Sequence, residues 1–176
     1  MAKMLIVSRF NSPIGGLSVT HDEQYIYQAS FTSFDKNTPY QYEWDDSKGF
    51  VNQTSESTKL LQRIASELTS YFFNPHHRFQ LQLSPNGSPY QMRVWNSLLV
   101  IPSGRTLTYG ELASRLQSSP RAIGQACKKN PLVLFIPCHR VVGKDDLGGY
   151  MGSPNALPYK LSLLKHEGLD FSKRSA

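Results

Sequence analysis

Residues 108–131 read TYGELASRLQSSPRAIGQACKKNP, and the architecture of the second half of the chain turns on them. Thr108 and Glu111 stand three residues apart, the spacing of a capping box, in which hydroxyl and carboxylate each satisfy a free backbone donor of the other residue. The box predicts a helix over Tyr109–Leu116. Ser119-Pro120 marks a second start, because serine caps and proline suits the first helical turn. That helix runs over Arg121–Lys129 and stops at Asn130-Pro131. Two short helices across a polar turn suggest a helix-turn-helix. Helical pairs of this size also occur in proteins that never touch nucleic acid, so the pair alone leaves the partner open.

Toward the C-terminus, Leu132–Ile136 is continuously apolar and predicts one buried strand or buried extended segment. It ends at Pro137-Cys138-His139-Arg140. After a loop rich in Gly and Asp, a final helix covers Pro158–His166, with Lys165 and His166 in its last turn and Gly168 just past it. Toward the N-terminus, Ser84–Pro89 is the densest turn cluster in the chain and divides it into units 1–87 and 88–176. Ser88 caps and Pro89 opens a helix whose buried face is Val94, Trp95, Leu98 and Leu99.

The first unit begins with strand-like runs at Met4–Arg9, Leu17–His21 and Tyr25–Phe31, separated by turns at Asn11–Gly16 and His21–Glu23. Thr32–Thr54 carries no clear pattern. Leu60, Ile64, Leu68 and Phe72 recur every four residues, the stripe of an amphipathic helix over Thr58–Phe73. A short strand is expected at Phe79–Leu83. The fold class is therefore α/β in the α+β sense: a small antiparallel sheet with a helix, followed by a helical unit. His76-His77 reads as a surface turn, and neither it nor His21 is given a function.

Composition narrows the classes. The chain has 176 residues, 39% of them hydrophobic, which excludes wholesale disorder. The formal charge of +6 is unevenly spread. Residues 1–87 hold seven of the 19 Lys and Arg against eight of the 13 Asp and Glu, so the whole excess lies in residues 88–176. A polyanion partner would meet that half, and a solvated basic face is the other reading of the same charge. Two cysteines are too few for a disulfide framework, and no apolar run approaches the ~20 residues that cross a bilayer. The expectation is a soluble protein of a reducing compartment, the cytoplasm or, in a eukaryote, the nucleus.

Cys138 has two readings on its own. It is a small hydrophobe at the end of an apolar run, or a nucleophile that needs a base to form thiolate. Nucleophilic chemistry calls for a histidine and a carboxylate that orients it. His139 can relay the proton, directly or through one water, and Glu167 can hold the other imidazole nitrogen. Cys127 sits beside Ala122, Ile123 and Ala126 on a helix and reads as core.

Pro137-Cys138-His139-Arg140-Val141-Val142, with Asn130-Pro131 upstream, resembles the active-site signature of the O6-alkylguanine-DNA alkyltransferases. The likeness runs from Ser88 to Gly168 and takes in Thr108-Tyr109-Gly110, Arg121-Ala122-Ile123-Gly124, Gly149-Tyr150 and His166-Glu167-Gly168 in the family's order. The first unit matches only loosely, mainly at Ser12-Pro13-Ile14-Gly15.

The resemblance implies a ribonuclease H-like first unit, a winged helix-turn-helix second unit, and suicidal DNA repair without a cofactor. A monomer would bind double-stranded DNA through the minor groove and rotate an O6-alkylguanine out of the stack. O4-alkylthymine would be a poorer substrate. The alkyl group would pass to Cys138, with His139, Glu167, Asn130 and Tyr109 in the catalytic set. Arg121 would fill the gap left by the base, with Tyr109, Ala122, Gly124, Lys128 and Arg140 also toward DNA. Tyr150, Met151, Val141 and Gly149 would line the alkyl pocket.

The chain departs from the family's pattern at three places. Residues 1–87 contain no cysteine, so the structural zinc of some members is not expected. The turn Gln117-Ser118-Ser119-Pro120 is shorter than in many relatives, and Met151-Gly152-Ser153-Pro154 follows Tyr150 where many have a small residue and two glycines. Met151 is expected to slow bulky O6-benzyl adducts relative to methyl ones. Two other readings stand beside repair: a non-catalytic sensor of alkylated DNA, which in the related alkyltransferase-like proteins usually has tryptophan for the cysteine, and a winged-helix DNA-binding regulator. A cysteine hydrolase is a third, with the basic second half against it.

Overall fold

The computed structural model describes residues 4–32, 39–55 and 57–171. They fall into two units, the first ending at Pro85 and the second beginning at Asn86, inside the turn-rich Ser84–Pro89 stretch. Met1–Lys3 of the N-terminal run and part of the unpatterned Thr32–Thr54 stretch lie outside the described residues.

In the first unit, β1 (Ile6–Ser12), β2 (Gly15–His21) and β3 (Ile26–Thr32) form an antiparallel meander. Alternation sets their faces: Ser8, Phe10 and Ser12 point inward while Val7 and Arg9 face out. Two strands join them, β4 (Tyr42–Asp45) and β5 (Gly49–Asn52), in the order β3-β2-β1-β4-β5. The β1–β4 pairing is parallel, with Phe10 opposite Tyr42, so the sheet is mixed rather than antiparallel as expected. Strands of four residues are too short to show an alternation in sequence. Helix α1 (Lys59–Phe73) is capped by Thr58, whose hydroxyl accepts from the Leu61 amide, and packs its apolar stripe against the sheet at β5.

The strand expected at Phe79–Leu83 does not form. The segment alternates as a strand would, yet it meets β3 at one bridge, Ile26 with Leu83, held by Ile26 N–H to Gln82 O and Ser84 N–H to Ile26 O. A single rung does not make a ladder.

The second unit contains α2 (Pro89–Leu99), β6 (Leu107–Thr108), α3 (Tyr109–Arg115), α4 (Pro120–Lys128), β7 (Val141–Val142) and α5 (Leu157–His166). Capping boxes form at Ser88/Gln91 and Thr108/Glu111, and Ser119 caps α4. Val94, Trp95 and Leu98 are buried on α2, and the Trp95 indole donates to Ala126 O across 2.9 Å, tying α2 to α4. Leu99, expected in that face, is 48% exposed because one more residue turns it about 100° away from the Leu98 side. Strands β6 and β7 pair in parallel, Leu107 with Val141.

Leu132–Ile136 is buried throughout but is neither strand nor extended. Leu134 adopts a left-handed φ of 74°, and the Ile136 amide reaches back to Leu132 O at 2.8 Å. Apolar content reported burial correctly; the backbone path is set by Asn130, described below. Among the described residues no helix is long and apolar enough to cross a membrane.

Candidate active site

Asn130 organises the turn that carries Cys138. Its Oδ1 accepts from the Leu132 amide at 3.0 Å, which turns Nδ2 the other way. Nδ2 donates to Ile136 O at 2.9 Å and to Cys138 Sγ at 3.1 Å. One side chain therefore spans both ends of the apolar coil and delivers an N–H to the sulfur. Cys138 opens a short 3-10 turn, Cys138–Arg140, and is only 3% exposed. Burial pushes its thiol above the ordinary value, and the Asn130 bond and the Lys160 ammonium draw it part of the way back. The resting sulfur is a thiol that must lose its proton to react.

The next residue is a histidine paired with a carboxylate. His139 Nε2 lies 2.8 Å from Glu167 Oε1, and neither side chain is exposed. A carboxylate only accepts, so Nε2 carries the hydrogen and the neutral ring presents Nδ1 bare. Nδ1 is buried and has no hydrogen-bond partner among the described residues. Burial holds the imidazole below its ordinary range despite Glu167, so His139 is an unprotonated base at neutral pH. Burial also works against the Glu167 carboxylate, but the bonds from His139 and Arg140 outweigh it and keep the group ionised.

Arg140, named above among the residues toward DNA, is held by the protein itself. All three guanidinium nitrogens are engaged within the protein: Nε and Nη2 with the two Glu167 oxygens at 3.0 and 2.8 Å, and Nη1 with Ile101 O at 2.6 Å. It braces Glu167. A bidentate guanidinium–carboxylate pair is a local consequence of three-dimensional proximity that the linear motif does not reveal.

Cys138 faces a cavity of about 350 Å³. One wall is the loop Gly149-Tyr150-Met151-Gly152, and the other is α4 through Gly124, Gln125, Cys127 and Lys128. Tyr109, at the start of α3, closes one side. Its ring lies so near the loop that a Cβ on Gly148, whose φ is +66°, would stand 2.6 Å from it. The Tyr109 hydroxyl reaches Gly149 O at a long 3.5 Å, and burial, with the two cysteines, holds the phenol well above its ordinary value, so it stays protonated. Met151 is in the left-handed region, with a φ of 50°.

One pocket expectation changes. Val141 does not line the cavity: it is fully buried in β7 and turns its carbonyl to Lys160. Cys127 is buried, as its core reading requires, and it also lines the cavity together with Cys138, with burial keeping its thiol protonated. Arg121 stands exposed at the second position of α4, Lys128 is exposed near that helix's C-terminal end, and Ala122 is half-buried between them.

Lys160 was missed. It is fully buried on α5, with Nζ donating to Val141 O at 2.6 Å and Gly149 O at 3.0 Å and standing 5.8 Å from the Tyr109 ring centroid. Burial lowers its ammonium to about 8. The available signal was a lysine three and four residues from Leu163 and Leu164, on the apolar stripe of the last helix.

The chain is similar to known proteins over most of its length. Residues 89–169 match the family model described as 6-O-methylguanine DNA methyltransferase, DNA binding domain. The methylated-DNA--protein-cysteine methyltransferase of Methanosarcina acetivorans is 34% identical over 161 residues, spanning 90% of this chain and 96% of that protein. The constitutive enzyme of that name from Bacillus subtilis is 34% identical over 167 residues, spanning 93% and 95%. The crystal structure of Mycobacterium tuberculosis O6-methylguanine methyltransferase superposes with a TM-score of 0.72 at 25% identity, covering 98% of this chain and 96% of that one. The Mycobacterium tuberculosis OGT in complex with DNA gives 0.68 at 28% identity, covering 96% and 93%. Likeness of this extent spans both units, not the cysteine motif alone, and on it the chain belongs to the methylated-DNA--protein-cysteine methyltransferase family.

Proposed function

We propose that the protein repairs O6-alkylguanine in double-stranded DNA by moving the alkyl group irreversibly onto Cys138. The observation that carries this reading is a buried sulfur at the cavity, held by Asn130 and followed in the chain by an imidazole whose bare nitrogen is fixed by Glu167. The cavity's 350 Å³ suits a single base with its substituent.

Helices α3 and α4 act as the helix-turn-helix, entering from the minor groove, with Arg121 and Lys128 toward the nucleic acid. Base rotation costs a few kcal/mol and is easier where alkylation has weakened the pair. Arg121 occupies the space the base leaves. In the first unit, the order β3-β2-β1-β4-β5 with a parallel β1–β4 pair supports the ribonuclease H-like reading.

In the reaction, the Cys138 proton passes to Nδ1 of His139, directly or through one water, giving an imidazolium paired with Glu167. The thiolate attacks the alkyl carbon in line. A carbon–sulfur bond forms, the carbon–O6 bond breaks, and its electron pair stays with guanine. The Tyr109 hydroxyl donates to the departing base and so neutralises the developing charge. The thioether has no easy hydrolytic exit, so each molecule acts once, as a monomer. Titrating a fixed amount of protein with an oligonucleotide carrying O6-methylguanine tests this. Repair levels off at one lesion per protein molecule, whereas continued turnover contradicts the proposal.

A further inference from the structure

Lys160 is a fully buried ionisable group to which the scheme above gives no role. An ammonium in an interior is costly, and a methionine would fill the same stripe beside Leu163 and Leu164 without that cost. The contacts of Nζ show what the charge holds together. Val141 O, in β7, lies three residues past Cys138, and Gly149 O belongs to the cavity wall. The same Gly149 O is the acceptor for the Tyr109 hydroxyl, but at 3.5 Å against 3.0 Å for the ammonium.

We infer that Lys160 is a positioning residue for the transfer. It satisfies the Gly149 carbonyl, so the Tyr109 hydroxyl is free to bond the base, and it sets a positive charge beside Cys138 as the sulfur becomes negative. The inference deepens the alkyl-transfer reading and rests on it. A carbonyl that already holds a charged donor binds a second donor weakly, so Tyr109 exchanges it for the base at little cost. The ammonium also lies over the Tyr109 ring face, which keeps the phenol from swinging away.

The charged and titratable groups around Lys160 are the thiols of Cys138 and Cys127, the Asp146 carboxylate and the Tyr109 phenol, with the His139–Glu167 pair sensing it as well. Its charge is present below pH 8 and is lost above. Thiolate formation at Cys138 thus has a cation to face at neutral pH.

The test separates this inference from the repair reading. Capping of Cys138 by iodoacetamide, followed across pH by peptide mass mapping so that Cys127 is counted separately, needs no DNA. In K160M and K160Q the capping profile moves to higher pH, and the rate near neutrality falls by about tenfold, the equivalent of one pH unit, while K160R keeps the wild-type profile. K160Q, whose amide carries two N–H donors for the two carbonyls, covers the case in which K160M does not fold. In methyl transfer from an O6-methylguanine oligonucleotide, Tyr109→Phe costs less in the K160M background than in the wild type, because the freed Gly149 carbonyl already holds the hydroxyl. A capping profile within about twofold of wild type in both neutral variants, or an equal cost of Tyr109→Phe in both backgrounds, overturns the inference. Wild-type protein that caps normally but takes no methyl group from DNA overturns the repair reading instead.

Discussion

His139 Nε2 and Glu167 Oε1 stand 2.8 Å apart with no solvent between them, and the second Glu167 oxygen is held by Arg140. The carboxylate fixes which imidazole nitrogen is bare, and Arg140 fixes the carboxylate. Replacing Glu167 removes both constraints at once. In Glu167→Gln the guanidinium of Arg140 loses its counter-charge, and the expected cost is about 3 kcal/mol of stability, read by denaturant unfolding.

The same pair sets an acid limit. The Glu167 carboxyl is held below its ordinary value, so the unfolded chain takes up the proton first. Its contribution is complete above the unfolded carboxyl's ~4.3 and drains away as the pH falls toward the lower folded value. Between about pH 5 and pH 3 the melting temperature of wild type therefore falls more steeply than that of Glu167→Gln. Parallel curves would show that Glu167 is not the group responsible.

Tyr109→Phe removes a hydroxyl that is held, among the described residues, by a long bond to Gly149 O, so the fold is retained. The rate of methyl transfer falls by roughly a hundredfold, the usual worth of a positioned proton donor. Single-turnover kinetics with the protein in excess reads the loss. An unchanged rate would assign protonation of the leaving base to another group.

Arg121 and Arg140 make a paired comparison. Arg121 is exposed on α4, whereas every Arg140 nitrogen is engaged within the protein. Arg121→Ala weakens DNA binding and reduces the slope of log affinity against log salt by about 1. Arg140→Lys leaves that slope unchanged and costs about 2 kcal/mol of stability, because lysine cannot reproduce the bidentate contact. A salt slope that changes with Arg140 would return that residue to the DNA-binding surface.

Met151 combines a left-handed backbone with a side chain at the cavity. Met151→Gly relieves the backbone strain of about 1 kcal/mol and opens the wall. O6-benzylguanine in an oligonucleotide then reacts about tenfold faster, the scale of relieving a small misfit in a pocket, while the rate for O6-methylguanine changes little. Equal rates for both adducts in wild type would remove Met151 as the cause of any size limit.

Much of this was legible in the chain. Local signals survived intact where they were self-contained: Thr108 with Glu111, Ser88 before Pro89, and Ser119 before Pro120 all cap as their spacing requires. What failed depended on contacts distant in sequence. Arg140 looks like a free cation until Glu167, 27 residues on, meets it. The coil at Leu132–Ile136 has strand-like composition, and only the Asn130 side chain explains its curl. Lys160 follows the same rule, since its carbonyl partners at 141 and 149 belong to other segments. The parallel β1–β4 pair likewise has no local mark.

The measurement that bears most directly on the account is the intact mass of the protein after incubation with an oligonucleotide carrying one O6-methylguanine, run beside Cys138→Ala. The account predicts that wild type gains one CH2 unit per molecule and that the variant gains none while still binding the lesion. An unchanged wild-type mass, or a gain that persists in Cys138→Ala, would contradict it.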